Sequence, residues 1–313
     1  MQQPDHNGEN MRIGRLLAPL IGLTVAMLSA CISAGGGVAA CDRACLADQM
    51  SGYLAALRAH DLSRVRLSAE FRATQNGVQL AKGDGLASTL SALGDLQRRY
   101  YDPTTGEAAY LGLAREGTDT ALIAVRIRVE RGRISQSEAF VARKGDALFN
   151  PDGLVALPPR AALLPASERR PRAEMIAAAN SYFEGLSRHD GSAIPKINGC
   201  DRLENGTRVT NRPPREAPVG APAFEFGATD CASGLDRMTQ IASVAHRRFP
   251  LVDEDAGVVM GVGLFLRPPG QTGNFAKRNL LTEFFETKDG KLAGIYAVMH
   301  YLDADAPDGT GWP

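Results

Sequence analysis

The chain carries no excess of charge of either sign. Its 313 residues hold 35 Lys plus Arg against 35 Asp plus Glu, so no overall field draws in nucleic acid or an anionic membrane, and no basic run is interleaved with aromatics. The signatures of cofactor chemistry are missing too: there is no GxSxG, HExxH, Walker loop or dinucleotide fingerprint. That argues against ATP, NAD or zinc, and no cofactor is expected. The apolar run "LLAPLIGLTVAMLSA" (Leu16 to Ala30) falls short of the ~20 residues that a membrane-spanning helix needs. What remains is a chain that is 44% hydrophobic, long enough for about two domains of ~100 to 150 residues each.

Arg12 and Arg15 precede that apolar run, the charged-then-apolar layout of a secretory signal. The run ends in "LSAC", which resembles a bacterial lipoprotein box with Cys31 as the lipidated residue, followed by "SAGGG" as a flexible tether. Ordinary cleavage after Ala40 in "GGGVAAC" is the alternative. Either way the expected location is exported: a periplasmic or outer-membrane lipoprotein, or a secreted protein. The membrane would be met only through a lipid anchor.

With Cys31 set aside, Cys41, Cys45, Cys200 and Cys231 remain, an even number in an oxidising compartment. Three pairings are open. The most local, Cys41 with Cys45 and Cys200 with Cys231, keep each bond within one segment of the chain. A zinc site would need His partners at ligand spacing, and none lies near.

The chain says one phrase twice. "YLAALRAHD" at 53 to 61 returns as "YFEGLSRHD" at 182 to 190, with Tyr53, Leu57, His60 and Asp61 matched by Tyr182, Leu186, His189 and Asp190 at an offset of 129. The same offset carries "QNG" (Gln75 to Gly77) onto "ENG" (Glu204 to Gly206), while the turn glycine of "IRVERGRISQSEAFV", Gly132, matches that of "FFETKDGKLAGIYAV", Gly290, at an offset of 158. The second copy therefore holds a net insertion of 29 residues, the difference of the two offsets. It must lie between Gly206 and Gly290, where "NRPPREAPVGAPAFEFG" and "RPPGQTGNF" are rich in turn formers. Apolar residues at helical spacing before Asp61 and Asp190 predict an amphipathic helix in each copy, with the Asp capping a second short helix. Alternating segments such as "ALIAVRIRV" and "LLTEFFET" predict strands of an antiparallel sheet downstream. The expected organisation is a leader over 1–40, a first domain over 41–150, a linker over 151–172, a second domain over 173–303 with its insertion at about 207–235, and a tail over 304–313.

The two helix phrases with their His-Asp step, and the late hairpins "RGRISQSEAF" and "KDGKLAGIYAV", resemble the nuclear transport factor 2-like superfamily, the fold of SnoaL-like polyketide cyclases and ketosteroid isomerases. The resemblance covers most of Cys45 to Leu302 in two copies. It implies an α+β fold of two tandem cone-shaped half-barrels, each a curved sheet wrapped by helices around an apolar pocket, packed as a pseudo-dimer within one chain. "RLENG" (Arg202 to Gly206) and "GW" (Gly311 to Trp312) also resemble a family of exported fungal and bacterial proteins.

In the isomerase branch a Tyr on the first helix donates to a developing enolate oxygen, and Tyr53 and Tyr182 are similarly placed. A phenol in an apolar cavity suits that task, because a donor aimed at a forming oxyanion acts more strongly out of water. The resemblance also implies an acid-base carboxylate near the end of the first strand. Copy two has Glu204 there and copy one has none. Glu283 shares a strand face with Leu281 and Phe285, so burial would raise its pKa as general acid-base work requires; pairing with Arg247, Arg248 or Arg278 is the bland alternative. His60 and His189 read as helix ends and His246 as a solvated helix end or a pocket base. Arg202, Tyr296 and His300 are candidate lining of the second pocket, although Tyr296 and His300 equally suit a packing face between the copies. Glu138 faces a partner such as Arg126 or Arg128. Two functions follow: a cofactor-free lyase, isomerase or dehydratase acting on a small, partly apolar carbonyl or hydroxy compound, or a non-catalytic small-molecule-binding or envelope interaction protein.

Overall fold

Leu46, Met50, Tyr53, Leu54 and Leu57 fall on one stripe, and they form the buried face of helix α1 (Arg43–Arg58). Its N-cap is Asp42, whose carboxylate accepts from the Cys45 N–H at 2.9 Å. A computed structural model of the protein describes residues 41–157, 163–211, 228–302, 306 and 309–312; the expected leader with Cys31, and most of the expected insertion, lie outside them. After α1 the chain runs through β1 (Leu67–Gln75), β2 (Val78–Leu80), the single turn α2 (Leu86–Thr89), β3 (Leu90–Asp102), β4 (Glu107–Glu116), β5 (Asp119–Glu130) and β6 (Arg133–Arg143). Following α3 (Pro151–Val155) come α4 (Arg172–Arg188), β7 (Lys196–Glu204), β8 (Thr207–Arg208), β9 (Ser243–Asp253), β10 (Val258–Leu266), β11 (Asn279–Lys288) and β12 (Lys291–Tyr301).

The strands make two six-stranded sheets of identical order, β2-β1-β6-β5-β4-β3 and β8-β7-β12-β11-β10-β9. Each is mixed: β1 runs parallel to β6 and β7 parallel to β12, where the sequence predicts antiparallel pairing alone. The parallel pair arises because α2 in the first half, and the longer connection in the second, carries the chain from the β1–β2 or β7–β8 hairpin across to the far edge, from which it meanders back. Among the described residues the chain is mostly β, with one long helix per sheet.

The spacing of equivalent elements resolves the insertion into two pieces. The shift is 129 from Leu67 to Lys196, 151 from Asp102 to Asp253 and 158 from Arg133 to Lys291. Twenty-two extra residues, from 129 to 151, therefore enter between β8 and β9, and seven, from 151 to 158, between β10 and β11.

Each sheet packs α1 or α4 on one face and its partner sheet on the other. Tyr100, Leu111 and Phe140 of the first sheet meet Met260, Phe284 and Tyr296 of the second in one buried cluster, and the Tyr100 and Phe284 rings lie 5.3 Å apart. Side chains of this size contribute roughly 1.5–3 kcal/mol each on burial. The charged contacts across this junction are reciprocal. Arg43 of α1 donates to Asp253 at 2.8 Å and Arg172 of α4 donates to Asp102 at 2.7 Å. Asp253 also accepts from the Tyr101 N–H, and Asp102 from the Val252 N–H. Arg43 and Arg172 are equivalent positions, as are Asp102 and Asp253, so the halves exchange contacts as the subunits of a two-fold dimer do.

The repeated Asn-Gly has a structural cause. Asn76 and Gly77 (φ 48° and 79°), and Asn205 and Gly206 (φ 46° and 85°), occupy the left-handed region that a two-residue hairpin requires. Each Asn amide also continues the ladder of a neighbouring strand: Asn76 pairs with both backbone groups of Val141, and Asn205 with those of Met299. The His-Asp step is likewise architectural. His60 and His189 both have φ 54° and close their helices, and their rings reach the carbonyls of Ala87 and Ile241. Asp61 caps the short helix Leu62–Arg64. Asp190 accepts from the Ser192 N–H in a turn, so the second helix expected there is replaced by that turn.

Candidate functional site

Four polar side chains gather between α4 and the second sheet, Tyr182, Arg202 and Glu283 buried and Glu204 half-buried. Tyr182 projects from α4 into the cluster that holds Phe183 and Phe285. Arg202 and Glu204 are two residues apart on β7, so both point to the α4 side. Glu283 on β11 is in register with Ala297 on β12, and Ala297 with Glu204 on β7. The two carboxylates thus stand on one cross-strand row with only a methyl group between them, their backbones roughly 10 Å apart from two strand spacings.

Burial dominates the electrostatics. Glu283 is 2% exposed, and its Oε2 has no hydrogen-bond partner among the described residues. Loss of solvent, reinforced by the Glu204 charge, pushes its carboxyl well above the usual carboxylate range, with Arg202 opposing. Glu204 is also shifted upward by desolvation, with Arg202 and Arg267 pulling it back. Burial raises the Tyr182 phenol, which therefore stays protonated. Arg202 is 1% exposed; its Nη1 donates to the Tyr182 hydroxyl at 3.4 Å and lies 4.0 Å from the Met238 sulfur, while Nε and Nη2 are unpartnered among the described residues.

Beside this group lies a cavity of about 40 Å³, room for on the order of two or three waters. Tyr182 and Glu204 line it with Met238, Phe265, Met299, Arg267 and Asn279. Part of that wall comes from the segments that join the strands. Met238 and Ile241 lie on the connection from β8 to β9, which the Cys200–Cys231 disulfide ties to β7. Arg267 opens the seven-residue piece and binds it back through Asn279 and the Gln240 carbonyl. The other disulfide joins Cys41 and Cys45. Both are the local pairings, and two disulfides fit an oxidising compartment. Among the described residues no helix is long and apolar enough to cross a membrane, and no cluster of His, Cys, Asp or Glu could hold a metal ion.

The first half has the same frame without the charges. The row Glu283–Ala297–Glu204 corresponds to Val125–Ala139–Gln75, and Arg202 to Ala73. Gln75 accepts from the Leu86 N–H, and a cavity of about 20 Å³ remains beside Tyr53. Burial pushes the Tyr53 phenol up to about 12, against a hydrogen bond with Ser137.

The other candidates lie elsewhere. His246 is exposed, with φ 50°, on edge strand β9, where a helix end is predicted; Arg247, Arg248 and Pro250 give that edge its solvated character. Tyr296 faces the opposite sheet, stacked under Arg98 and donating to Glu286 at 3.4 Å. His300 lies 3.3 Å from Asp146, outside the cavity wall. The cation partners proposed for Glu283 are engaged by others: Arg247 binds Glu184, Arg248 binds Glu138, and Arg278 binds the Ala306 carbonyl. Glu138 is also held by Arg126 at 3.1 Å, which stacks on Trp312. Sequence pattern does not mark Met238 and Gln240 as cavity wall, because they sit in a stretch without periodicity.

Fold and site together define a two-sheet β-rich protein in whose second half a cavity lies beside Arg202 and Glu283, each with polar atoms unpartnered among the described residues. Residues 168–299, almost wholly this second half, match a family model described as "Domain of unknown function (DUF8021)". No curated protein sequence matches the chain. A solved structure titled "Crystal structure of protein from Sphaerobacter thermophilus" is 11% identical over 41% of this chain and 95% of its own, with a TM-score of 0.28.

Proposed function

We propose that each half is a cone-shaped SnoaL-like half-barrel, and that the second is a cofactor-free acid-base enzyme: a lyase, isomerase or dehydratase for a small, partly apolar carbonyl or hydroxy compound. The observation that supports this is the asymmetry between the halves. Where the first half has Val125 and Ala73, the second buries Glu283 and Arg202 with unpartnered polar atoms, at a cost that only function repays.

In this reading Glu204, at the cavity wall and at the end of the first strand, takes the proton next to the carbonyl. Tyr182 donates to the oxygen on which charge develops, and the Arg202 N–H on its own oxygen strengthens it as a donor. Glu283, kept protonated by burial, is the second donor and returns a proton, which the proton held by Glu204 then replaces, so that Glu204 ends the cycle ionised and Glu283 protonated. The apolar walls keep the competing water out.

The test is turnover of a panel of short 3-hydroxy and β,γ-unsaturated carbonyl compounds. Tyr182→Phe and Glu283→Gln should each lower kcat by about 10²–10³-fold with the fold intact, and Tyr53→Phe should leave it unchanged. Full activity of both second-half variants would refute the mechanism. Binding of such compounds without turnover would instead favour a small-molecule-binding protein.

A further inference from the structure

The mechanism above uses one edge of Arg202, and the other edge is the largest unspent feature of the interior. A guanidinium cannot be deprotonated, so its burial calls for an anion. Yet no carboxylate oxygen among the described residues comes within the 4.0 Å of an ion pair, and Nε and Nη2 are both unpartnered. Those two N–H groups form the side-on fork that matches the two oxygens of a carboxylate. Glu204 and Glu283, although near enough to be felt electrostatically, leave the fork open.

We propose that Arg202 is the seat of a carboxylate carried by the ligand, which makes the substrate class a short-chain oxo or hydroxy monocarboxylic acid. This rests on the acid-base reading of the same site and names its substrate. Arg202 does not itself line the cavity, but the two side chains that its Nη1 touches, Tyr182 and Met238, both do. Met238 follows the short helix Leu235–Arg237 on the connection from β8 to β9, a position free of strand pairing. Its unbranched thioether can swing aside and let a carboxylate reach the fork. A ligand so held places its next carbons along the row toward Glu204 and under the Tyr182 hydroxyl. The present cavity must widen, as movement of Met238 allows, to take even a chain of a few carbons, and a steroid is far beyond it.

The test separates binding from turnover. Titration of the full chain with butanoate and with butanamide, followed by calorimetry or NMR, should show butanoate at least ~10-fold tighter, a charge-assisted pair being worth that or more. Arg202→Gln should erase the difference, and Arg202→Lys, which keeps the charge without the fork, should restore only part of it. Glu283→Gln should keep the preference for butanoate even though it removes turnover. Equal affinities in the unaltered protein, or no binding of either compound, would overturn the carboxylate seat. Turnover confined to uncharged substrates would overturn it while sparing the acid-base reading; butanoate binding through Arg202 with no turnover of any 3-oxo or 3-hydroxy acid would do the reverse.

Discussion

Replacing Glu283 by Gln removes an ionisable group from an interior that disfavours its charged form, and the consequence for stability has a definite sign. In the unfolded chain a Glu titrates near 4.3, whereas in the fold burial and the Glu204 charge hold the Glu283 carboxyl well above that. Between the two values the folded state keeps a proton that the unfolded state has released. The contribution is fully present below the unfolded value and is lost as pH rises toward the folded one. The slope is about 1.4 kcal/mol per pH unit. Urea unfolding from pH 4 to 8 should therefore show wild type losing stability relative to Glu283→Gln, by about 1.4 kcal/mol for each unit above pH 4.3 until the folded value is reached. Gln keeps nearly the same shape, so the two proteins should differ least at pH 4. A constant difference across the range would mean that Glu283 titrates normally, and the argument from burial would fail.

Other perturbations test the frame around the site. Trp312 donates to Thr74 at 2.8 Å and lies under the guanidiniums of Arg72 and Arg126; Trp312→Ala should cost on the order of 3 kcal/mol in thermal or urea unfolding. Asn205→Ala strips the Met299 N–H and the Met299 and Ala147 carbonyls of their partner and should cost about 2–4 kcal/mol, read the same way. Replacing Cys200 and Cys231 by Ser frees a loop closed over 31 residues, a loss of about 3–4 kcal/mol on the chain-entropy account, and should weaken ligand binding because Met238 and Ile241 wall the cavity. Arg43→Ala leaves the buried Asp253 with only its backbone N–H partners and should destabilise the junction of the halves by about 1–3 kcal/mol; Arg172→Ala should do the same through Asp102.

The duplication was legible because each copy repeats side chains that do local work. Asn76 and Asn205 turn hairpins, His60 and His189 end helices, and Tyr53 and Tyr182 fill the stripe facing a sheet. Constant offsets then located the insertion. The parallel pairing of β1 with β6 was not legible, since a strand's alternation is the same whichever way its neighbour runs. Edge strand β9 was misread because Arg247, Arg248 and Pro250 carry the polarity of a helix end. The site was half legible. Period two placed Glu283 on an inner face, but only the register across β11, β12 and β7 puts it on one row with Glu204. That Arg202 would be left with an open fork depends on where every carboxylate of the interior lies, which no local pattern records.

The most direct trial of the account is proton exchange in deuterium oxide at the carbon next to the carbonyl of short 3-oxo acids, followed by NMR. The wild-type protein and Tyr53→Phe should incorporate deuterium far above the uncatalysed rate, and Glu204→Gln and Tyr182→Phe should lose that activity by about 100-fold or more. Exchange no faster than without protein, or exchange that survives both second-half changes, would contradict it.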